Sequence, residues 1–314
     1  MKKYIWTLIG ITTTLISSSI LYDKLRNISF YEVVSRLKEL TMDHWILAIF
    51  SALVSYAALA GYDRIALRHL QKNISWIFIT ICSFTTYALS HNIGFSIFSG
   101  AAVRYRAYSI KGLNGAEIAV LVGFCSFTFA LGTLFLSSIV LLIRPDLIKL
   151  VHNDFPESLS IIISSMILTA IGCYIFGSWM QIHPPKIGKK IKIAYPSLKI
   201  VLQQLIIGPL EILGAVGIIY ALLPEANNPG FIPVLAVFLA AFSLTLLSNA
   251  PAGGIGVLET LFMTGTAKMN QADVLAALAI FRLLYLLIPL ILSVVVIVLF
   301  EIIYWNPERK RNKQ

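Results

Sequence analysis

The stretch LLSNAPAGGIGVLETLF, residues 246–262, interrupts one of the most hydrophobic parts of the chain with polar and helix-breaking residues. These residues are Asn249, Pro251, Gly253, Gly254, Gly256 and Glu259. Such a break either ends a membrane helix in water or interrupts a helix inside the lipid. Non-helical backbone is tolerated inside the lipid only where it is buried in protein or faces a watery cavity. The position of this stretch therefore decides the fold.

The composition is that of a membrane protein. Of the 314 residues, 58% are hydrophobic and 13% are charged, and the mean hydropathy is +0.82. Apolar runs reach the roughly 20 residues that a helix needs to cross a bilayer, and they lack the alternation typical of a membrane barrel. We therefore predict an all-α polytopic membrane protein, with residues 1–314 forming a single integral membrane domain.

Six apolar runs are long enough to be full spans. They are residues 4–22, 44–62, 115–143, 158–180, 199–222 and 274–300. Two further apolar regions, 76–110 and 231–268, are each broken halfway, the first by SHNIGFS and the second by the opening stretch. The basic and apolar start of the chain also resembles a signal peptide. We expect it to be retained as the first span, because the small-residue cleavage pattern is poor.

The distribution of charge indicates how the two broken regions lie in the membrane. If both turn back as re-entrant hairpins, one side of the membrane carries seventeen Lys and Arg residues against two acids, Asp63 and Glu308. The other side then carries seven basic and nine acidic residues. Cytoplasmic loops collect Lys and Arg, so this topology places both termini in the cytoplasm. Crossing by either region alone, or by both, would place a basic segment outside. Two hairpins with a polar cavity between them fit best.

The order of the spans repeats. A shift of 156 or 157 residues places the first span on the fourth, the second on the fifth, and each broken region on the other. The halves, approximately 1–157 and 158–314, each contain three spans and one hairpin and so have opposite orientations. This pattern predicts an inverted-topology repeat, which is typical of secondary transporters whose sites lie near the midplane.

Charged residues inside the predicted spans are few, and each costs about 2.5–3.5 kcal/mol at mid-span on insertion scales. Glu211 lies beside Pro209 in the fifth span, Glu259 follows the second break, and Arg282 lies in the last span. We expect Glu259 and Arg282 to pair. The pair is either a structural lock or part of a lipid headgroup site. Glu211 is either a protonated packing residue or a relay or headgroup contact.

The first hairpin ends in GAAVRYRAYSIKG, residues 100–112. The guanidinium groups of Arg104 and Arg106 there suit bidentate phosphate binding, although a loop end also carries basic residues for topology alone. The predicted headgroup-binding residues are Arg104, Arg106, Arg282, Glu259, Glu211 and Asn249. The predicted structural residues of the hairpin tips are His91, Asn92, Gly94, Pro251, Gly253, Gly254 and Gly256.

Helix caps are predicted at equivalent places in the two halves. Asn114 with Glu117 begins the third span, and Asn270 with Asp273 begins the last span. An Asn followed three residues later by an acid is typical of a capping box. We therefore interpret these polar residues as caps and not as site residues.

Several function classes are not supported by the sequence. The three cysteines and five histidines lack the spacing of a disulfide framework or a metal site, and no nucleophile motif is present. We therefore expect no cofactor, no metal and no enzymatic activity. The net charge of +10 follows the membrane edges, which favours anionic lipid over nucleic acid.

Three stretches carry a resemblance to a known family. They are SHNIGFSIFSGAAVRYRAYSIKGL (90–113), LSNAPAGGIGVLETLF (247–262) and GYDRIALRHL (61–70). They resemble the membrane domain of lysylphosphatidylglycerol synthases, the multiple peptide resistance factor family. The resemblance implies a flippase domain that moves aminoacylated phosphatidylglycerol, here as a stand-alone form without the soluble synthase domain. It also implies a set of important positions: Arg104, Arg106, Asn249, Gly253, Gly254, Glu259 and Arg282.

The leading prediction is a phospholipid flippase or transporter in a bacterial inner membrane, with phospholipids as its partners. The alternative is a non-transporting anchor or regulatory partner of a separate aminoacyltransferase or envelope-synthesis enzyme. A third reading is a membrane enzyme that acts on lipid. A second copy of the chain is also a candidate partner. The sequence does not indicate which lipid is moved, the direction of movement or the energy source.

Overall fold

A computed structural model of the chain describes residues 30–93, 96–150, 154–181, 195–248 and 256–311. Within these ranges all regular structure is helical and no strand is present, which confirms the all-α prediction. The α-helices are α1 (Phe30–Glu39), α2 (Met42–His69), α3 (Trp76–Ile93), α4 (Ser96–Ser109), α5 (Gly115–Ile143), α6 (Glu157–Trp179), α7 (Leu198–Leu222), α8 (Phe231–Ser248), α9 (Val257–Gly265), α10 (Gln271–Arg282) and α11 (Ile288–Arg311). A π-helical turn, Leu283–Leu287, joins α10 to α11, and a 3₁₀ helix, Pro145–Leu150, follows α5.

Five helical segments in the described part of the chain are long and apolar enough to cross a membrane. They are α2, α5, α6, α7 and the continuous segment Gln271–Phe300. Each coincides with a predicted span, so the prediction of a polytopic membrane protein is confirmed. The sixth predicted span, 4–22, lies outside the described residues. The prediction that α2 ends near residue 62 was wrong, because the helix continues to His69.

The first broken region folds back on itself. The ring of Phe78, near the start of α3, lies 5.9 Å from the ring of Tyr108 near the end of α4. The Nζ atom of Lys111 lies 4.7 Å from the centre of the same Phe78 ring. Lys72, before the region, forms a 2.7 Å ion pair with Glu117, after it. The two ends of the region therefore meet, and α3 and α4 form a helical hairpin.

The second broken region has the same form. Gly265, at the end of α9, lies so close to Val237, near the start of α8, that a β-carbon at Gly265 would clash with the valine side chain. The end of this region therefore returns to its beginning. The predicted tip residues Gly94, Pro251, Gly253 and Gly254, and the predicted headgroup contact Asn249, lie outside the described residues. That the hairpins enter the membrane without crossing it stays a prediction.

The helices α2 and α7 pack backbone against backbone. A β-carbon at Gly214 would lie 2.7 Å from the backbone nitrogen of Ser55. The Ser55 hydroxyl donates a 2.9 Å hydrogen bond to the Glu211 carbonyl, and these residues lie 156 positions apart. That separation equals the shift of the predicted repeat. The inverted repeat and the single-domain organisation stay predictions.

A second close crossing joins α5 to α7. A β-carbon at Gly132 would lie 2.5 Å from the carbonyl carbon of Gly208. Beside this crossing, the Gln204 amide donates a 2.8 Å hydrogen bond to the Thr128 hydroxyl and accepts one from Tyr174 of α6. Small residues that allow close approach and polar side chains that bridge helices are the usual means of association in lipid.

Both predicted helix caps are present. The acid of the second cap, Asp273, pairs with another residue and does not complete a capping box. Asn114 and Glu117 form a full capping box at the start of α5, and the Asn270 side chain caps α10. The carboxylate of Asp273, expected to complete that cap, lies 3.3 Å from Arg36. Arg36 belongs to α1, a short helix that the sequence analysis did not predict.

The Gly132–Gly208 crossing predicts a position-specific cost for added volume. Gly132→Ala should destabilise the protein by about 1–3 kcal/mol, the usual cost of overpacking a tight contact. Gly123→Ala in the same helix is the matched control, because a β-carbon there has no neighbour within 4 Å. Thermal unfolding in detergent measures both variants, and an equal shift in Tm for the two would contradict this packing.

Candidate functional site

A buried carboxylate lies midway along α7. Glu211 is 2% exposed and lies about 20 Å beyond Leu198, where α7 begins, at a rise of about 1.5 Å per residue. The Tyr285 hydroxyl donates a 2.6 Å hydrogen bond to its Oε1 atom. Its Oε2 atom is buried and has no hydrogen-bond partner among the described residues. A buried polar atom without a partner is rare and requires an explanation.

The widened turn Leu283–Leu287 positions Tyr285. This turn interrupts the predicted last span, 274–300, and shifts its backbone hydrogen bonds. Side chains from two other helices satisfy carbonyl groups in the turn. The Tyr56 hydroxyl donates to the Tyr285 carbonyl at 2.9 Å, and the Asn92 amide donates to the Leu286 carbonyl at 3.1 Å. Such turns are frequent at functional sites.

The end of α3 packs against this turn. The His91 ring stacks on the Tyr285 ring with a centroid separation of 5.2 Å and an interplanar angle of 22°. Its Nδ1 atom is buried and has no hydrogen-bond partner in the described part of the chain. Asn92 also donates to the Ala88 carbonyl at 2.8 Å. The predicted tip residues His91 and Asn92 thus link the first hairpin to the last span.

The Glu259–Arg282 pair expected from the sequence is present in the structure. The Nε atom of Arg282 lies 2.6 Å from Oε1 of Glu259, and Oε2 accepts a 2.8 Å hydrogen bond from the Gly256 amide. Gly256 has φ +87°, a conformation that favours glycine. The Nη2 atom of Arg282 is buried and lacks a partner among the described residues. This pair links the second hairpin to the last span.

Arg104 belongs to a different cluster. It is 4% exposed, and its guanidinium group contacts the Asp63 carboxylate with distances of 2.6, 3.2 and 3.3 Å. Asp63 also accepts hydrogen bonds from the Tyr108 hydroxyl at 2.9 Å and from the Cys125 thiol at 3.4 Å. The positive charge of Arg104 is therefore neutralised inside the protein.

This cluster corrects two expectations from the sequence. Asp63 was assigned to a cytoplasmic loop, but it is fully buried in α2. Arg104 and Arg106 were each predicted as headgroup contacts; Arg104 is buried against Asp63, and Arg106 is exposed. The residues Ile65, Ala66 and Leu67 after Asp63 are apolar, and this continuing helical pattern was the signal for a longer α2.

Aromatic rings connect the two clusters. The guanidinium carbon of Arg104 lies 4.9 Å from the centre of the Tyr87 ring, and Tyr87 lies 5.9 Å from the His91 ring. His91 in turn stacks on Tyr285, which contacts Glu211. A continuous series of polar and aromatic side chains thus runs from Asp63 to Glu211. Tyr87 and Tyr285 were not predicted as site residues. A tyrosine in an apolar span often serves only to pack against its neighbours, so its presence alone does not indicate a site.

The described residues offer no obvious metal site. No group of three or more His, Cys, Asp or Glu side chains in these ranges is arranged to hold an ion. Cys82 and Cys125 are buried free thiols, and Cys173 is an exposed one. The groups that gather in the interior are carboxylate, guanidinium, imidazole and phenol. They can bind a polar, charged ligand.

These features define a multi-pass membrane protein with clusters of polar side chains in its interior. The chain is 32% identical over 263 residues to Uncharacterized protein slr0712 of Synechocystis sp., covering 82% of this chain and 80% of that protein. It therefore belongs to the same family as that protein. No family model matches the chain.

Two further relatives extend the comparison. The Inner membrane protein YbhN of Escherichia coli is 28% identical over 257 residues, which are 81% of this chain and 79% of that protein. The Phosphatidylglycerol lysyltransferase of Staphylococcus haemolyticus is 22% identical over 278 residues, which are 88% of this chain but 31% of that longer protein. The resemblance expected from the sequence is confirmed as a weak homology to the membrane region of that protein.

The Asp63–Arg104 pair predicts a large effect of removing one charge. Asp63→Asn should destabilise the protein by about 3–5 kcal/mol, because Arg104 is left buried without its counter-charge. The double variant Asp63→Asn with Arg104→Met should recover part of the lost stability, because no unpaired charge is then buried. Asp146→Asn is the control, since Asp146 pairs with Arg144 on the exposed surface and such pairs contribute little. Thermal unfolding in detergent measures all three; a wild-type Tm for Asp63→Asn would contradict the assignment.

Proposed function

We propose that this protein is a phospholipid transporter of the bacterial inner membrane that moves a lipid headgroup between the two leaflets through its polar interior. The observation that carries the proposal is that three of the six buried side-chain polar atoms without partners among the described residues lie close together in the chain's central cluster. These three are Glu211 Oε2, His91 Nδ1 and Arg282 Nη2. All three belong to side chains on or beside the turn that holds Tyr285.

The chemistry of these groups suits a phospholipid headgroup. Arg282 already uses Nε for Glu259, and its Nη2 donor remains available for a phosphate oxygen. Arginine binds phosphate through its planar set of donors. Glu211 and His91 offer an acceptor and a titratable ring nitrogen to the hydroxyl or amino groups of a headgroup. The acyl chains would stay in the surrounding lipid during movement.

The relatives support a lipid and not a soluble solute. One of them is named as a phosphatidylglycerol lysyltransferase, so phosphatidylglycerol and its aminoacylated form are the first substrates to test. Another is named as an inner membrane protein, in agreement with the proposed location. Inverted halves would expose the polar interior to each leaflet in turn. Asn249, which lies outside the described residues, remains a proposed headgroup contact, as does the exposed Arg106.

Arg104 takes a different part in this proposal. Its guanidinium group pairs with Asp63, so its two parallel N–H donors are not available for bidentate binding of a phosphate. We assign it to holding α4 against α2, with the Tyr87 ring transmitting its position to His91. The lipid contact in the interior is assigned to Arg282, Glu211 and His91.

Leaflet exchange in proteoliposomes tests the function. Fluorescent phosphatidylglycerol, its lysyl derivative and phosphatidylethanolamine are incorporated, and a membrane-impermeant quencher reports the outer-leaflet fraction over time. The wild-type protein should accelerate exchange of at least one of these lipids. Glu211→Gln keeps an acceptor for Tyr285 but removes the carboxyl group, and it should lower the rate by about tenfold or more, as expected for losing a strong hydrogen-bonded contact to the headgroup.

Glu225→Gln is the matched control, because Glu225 is exposed in the loop after α7 and should leave the rate unchanged. Wild-type rates equal to those of empty liposomes for all three lipids would overturn the transport proposal. Transport by the wild type with an undiminished rate in Glu211→Gln would overturn the assigned site.

One observation favours a second function. The lysyltransferase relative contains a matching region within a much longer protein, which suggests association with a separate aminoacyltransferase. In that case the chain would anchor or regulate the partner without transport. Co-purification with such an enzyme, together with normal activity of Glu259→Ala and Arg282→Ala variants, would support this function over the first. On either proposal the chain itself is not an enzyme.

A further inference from the structure

A groove lies on the outside of the bundle where α2 approaches α7, away from the central cluster. Its volume is about 280 Å³. It is lined by Gly61, Arg64, Ile65, Arg68, Trp76, Gln203 and Ile207. A β-carbon at Gly61 would lie 3.0 Å from the Ile207 side chain, so the glycine keeps the floor of the groove open.

The groove is positively charged. Arg64 and Arg68 lie one helical turn apart on α2, and no acidic residue is among the described residues that line it. The Nη1 atom of Arg64 donates to the Ile74 carbonyl at 3.0 Å, and that of Arg68 lies 3.5 Å from the Gln203 side-chain oxygen. Each guanidinium group has five N–H donors. These two contacts use one donor of each group, so further donors can bind a ligand.

The surroundings place the groove at the edge of the membrane. Arg68 lies in the last turn of α2, and the guanidinium carbon of Arg64 lies 5.6 Å from the centre of the Trp76 ring. Tryptophan and arginine are typical of the interface between lipid and water. Beside the groove, Ile206 of α7 is 66% exposed and Leu202 is 46% exposed. These two side chains, one turn apart, form an apolar ridge that leads away from the arginines.

We propose that this groove binds the phosphate of an anionic phospholipid, with an acyl chain lying along the apolar ridge of Leu202 and Ile206. The two guanidinium groups supply charge-assisted hydrogen bonds to the phosphate oxygens. Trp76 covers the glycerol region. The ligand is a phosphodiester at the predicted cytoplasmic surface, and this site is separate from the proposed transport site in the interior.

Native mass spectrometry of the full chain in detergent tests the groove. The protein is titrated with phosphatidylglycerol and with phosphatidylcholine of the same acyl chains, and in a third arm with inorganic phosphate. The wild type should bind phosphatidylglycerol in preference to phosphatidylcholine. Arg64→Gln with Arg68→Gln should weaken phosphatidylglycerol binding by at least about tenfold, since two charged contacts are lost.

The control removes the same charge elsewhere. Arg144→Gln with Lys149→Gln changes two exposed basic residues on the opposite predicted side, and binding should equal that of the wild type. Should the groove double variant fail to fold, Arg68→Gln alone, at an exposed position, should still weaken binding several-fold.

Three outcomes would overturn the proposal: equal affinity in the groove variants and the wild type, equal affinity for the two lipids, or inorganic phosphate binding as tightly as phosphatidylglycerol. The last result would assign the groove to a free anion. Because lipid binding and leaflet exchange are measured separately, failure of the transport proposal would leave this result unaffected.

Discussion

Both hairpins are held by the same short segment of the last span. Arg282 forms an ion pair with Glu259 at the beginning of α9, and the Leu286 carbonyl accepts a hydrogen bond from Asn92 at the end of α3. Inside a bilayer, polar groups have no water to bind and must find partners within the protein. The two breaks in the chain are therefore tied to one place, and the π-helical turn there supplies the free carbonyl groups. The central cluster around Tyr285 depends on this arrangement.

Close helix contacts hold the scaffold around that segment. Gly214 lets α7 approach the backbone of α2, and Gly132 with Gly208 does the same for α5 and α7. The α7 helix thus contacts two neighbours closely and carries Glu211 into the middle of the bundle. Exposed apolar side chains cover the outside of the helices. The described part of the protein is consequently apolar on the outside and largely apolar inside, and its buried polar groups are concentrated in a few clusters.

The sequence predicted the parts of this structure that follow from length and charge. Span length follows from the thickness of the bilayer, and the described spans were placed within a few residues, apart from the end of α2. The Glu259–Arg282 pair was predictable because an isolated charge in lipid needs a partner. The burial of Asp63 was not, because hydropathy falls at that point while the helix continues. The π-helical turn was not predicted, although Pro289 lies four residues after Tyr285. Proline has no N–H for the carbonyl four residues before it and crowds that carbonyl, so Pro289 was the available signal for an irregular turn. The role of Tyr285 depends on that turn.

The account rests on two hairpins that turn back within the membrane, one from each side. Single cysteines placed at Asn73, Lys111, Glu225 and Lys268 in a cysteine-free background report the side directly, with a membrane-impermeant thiol reagent applied to intact cells and to inverted vesicles. The account predicts that the cysteines at 73 and 111 are labelled only from the cytoplasmic side, and those at 225 and 268 only from the opposite side. Labelling of either pair from different sides would show that a hairpin crosses the membrane and would contradict the account.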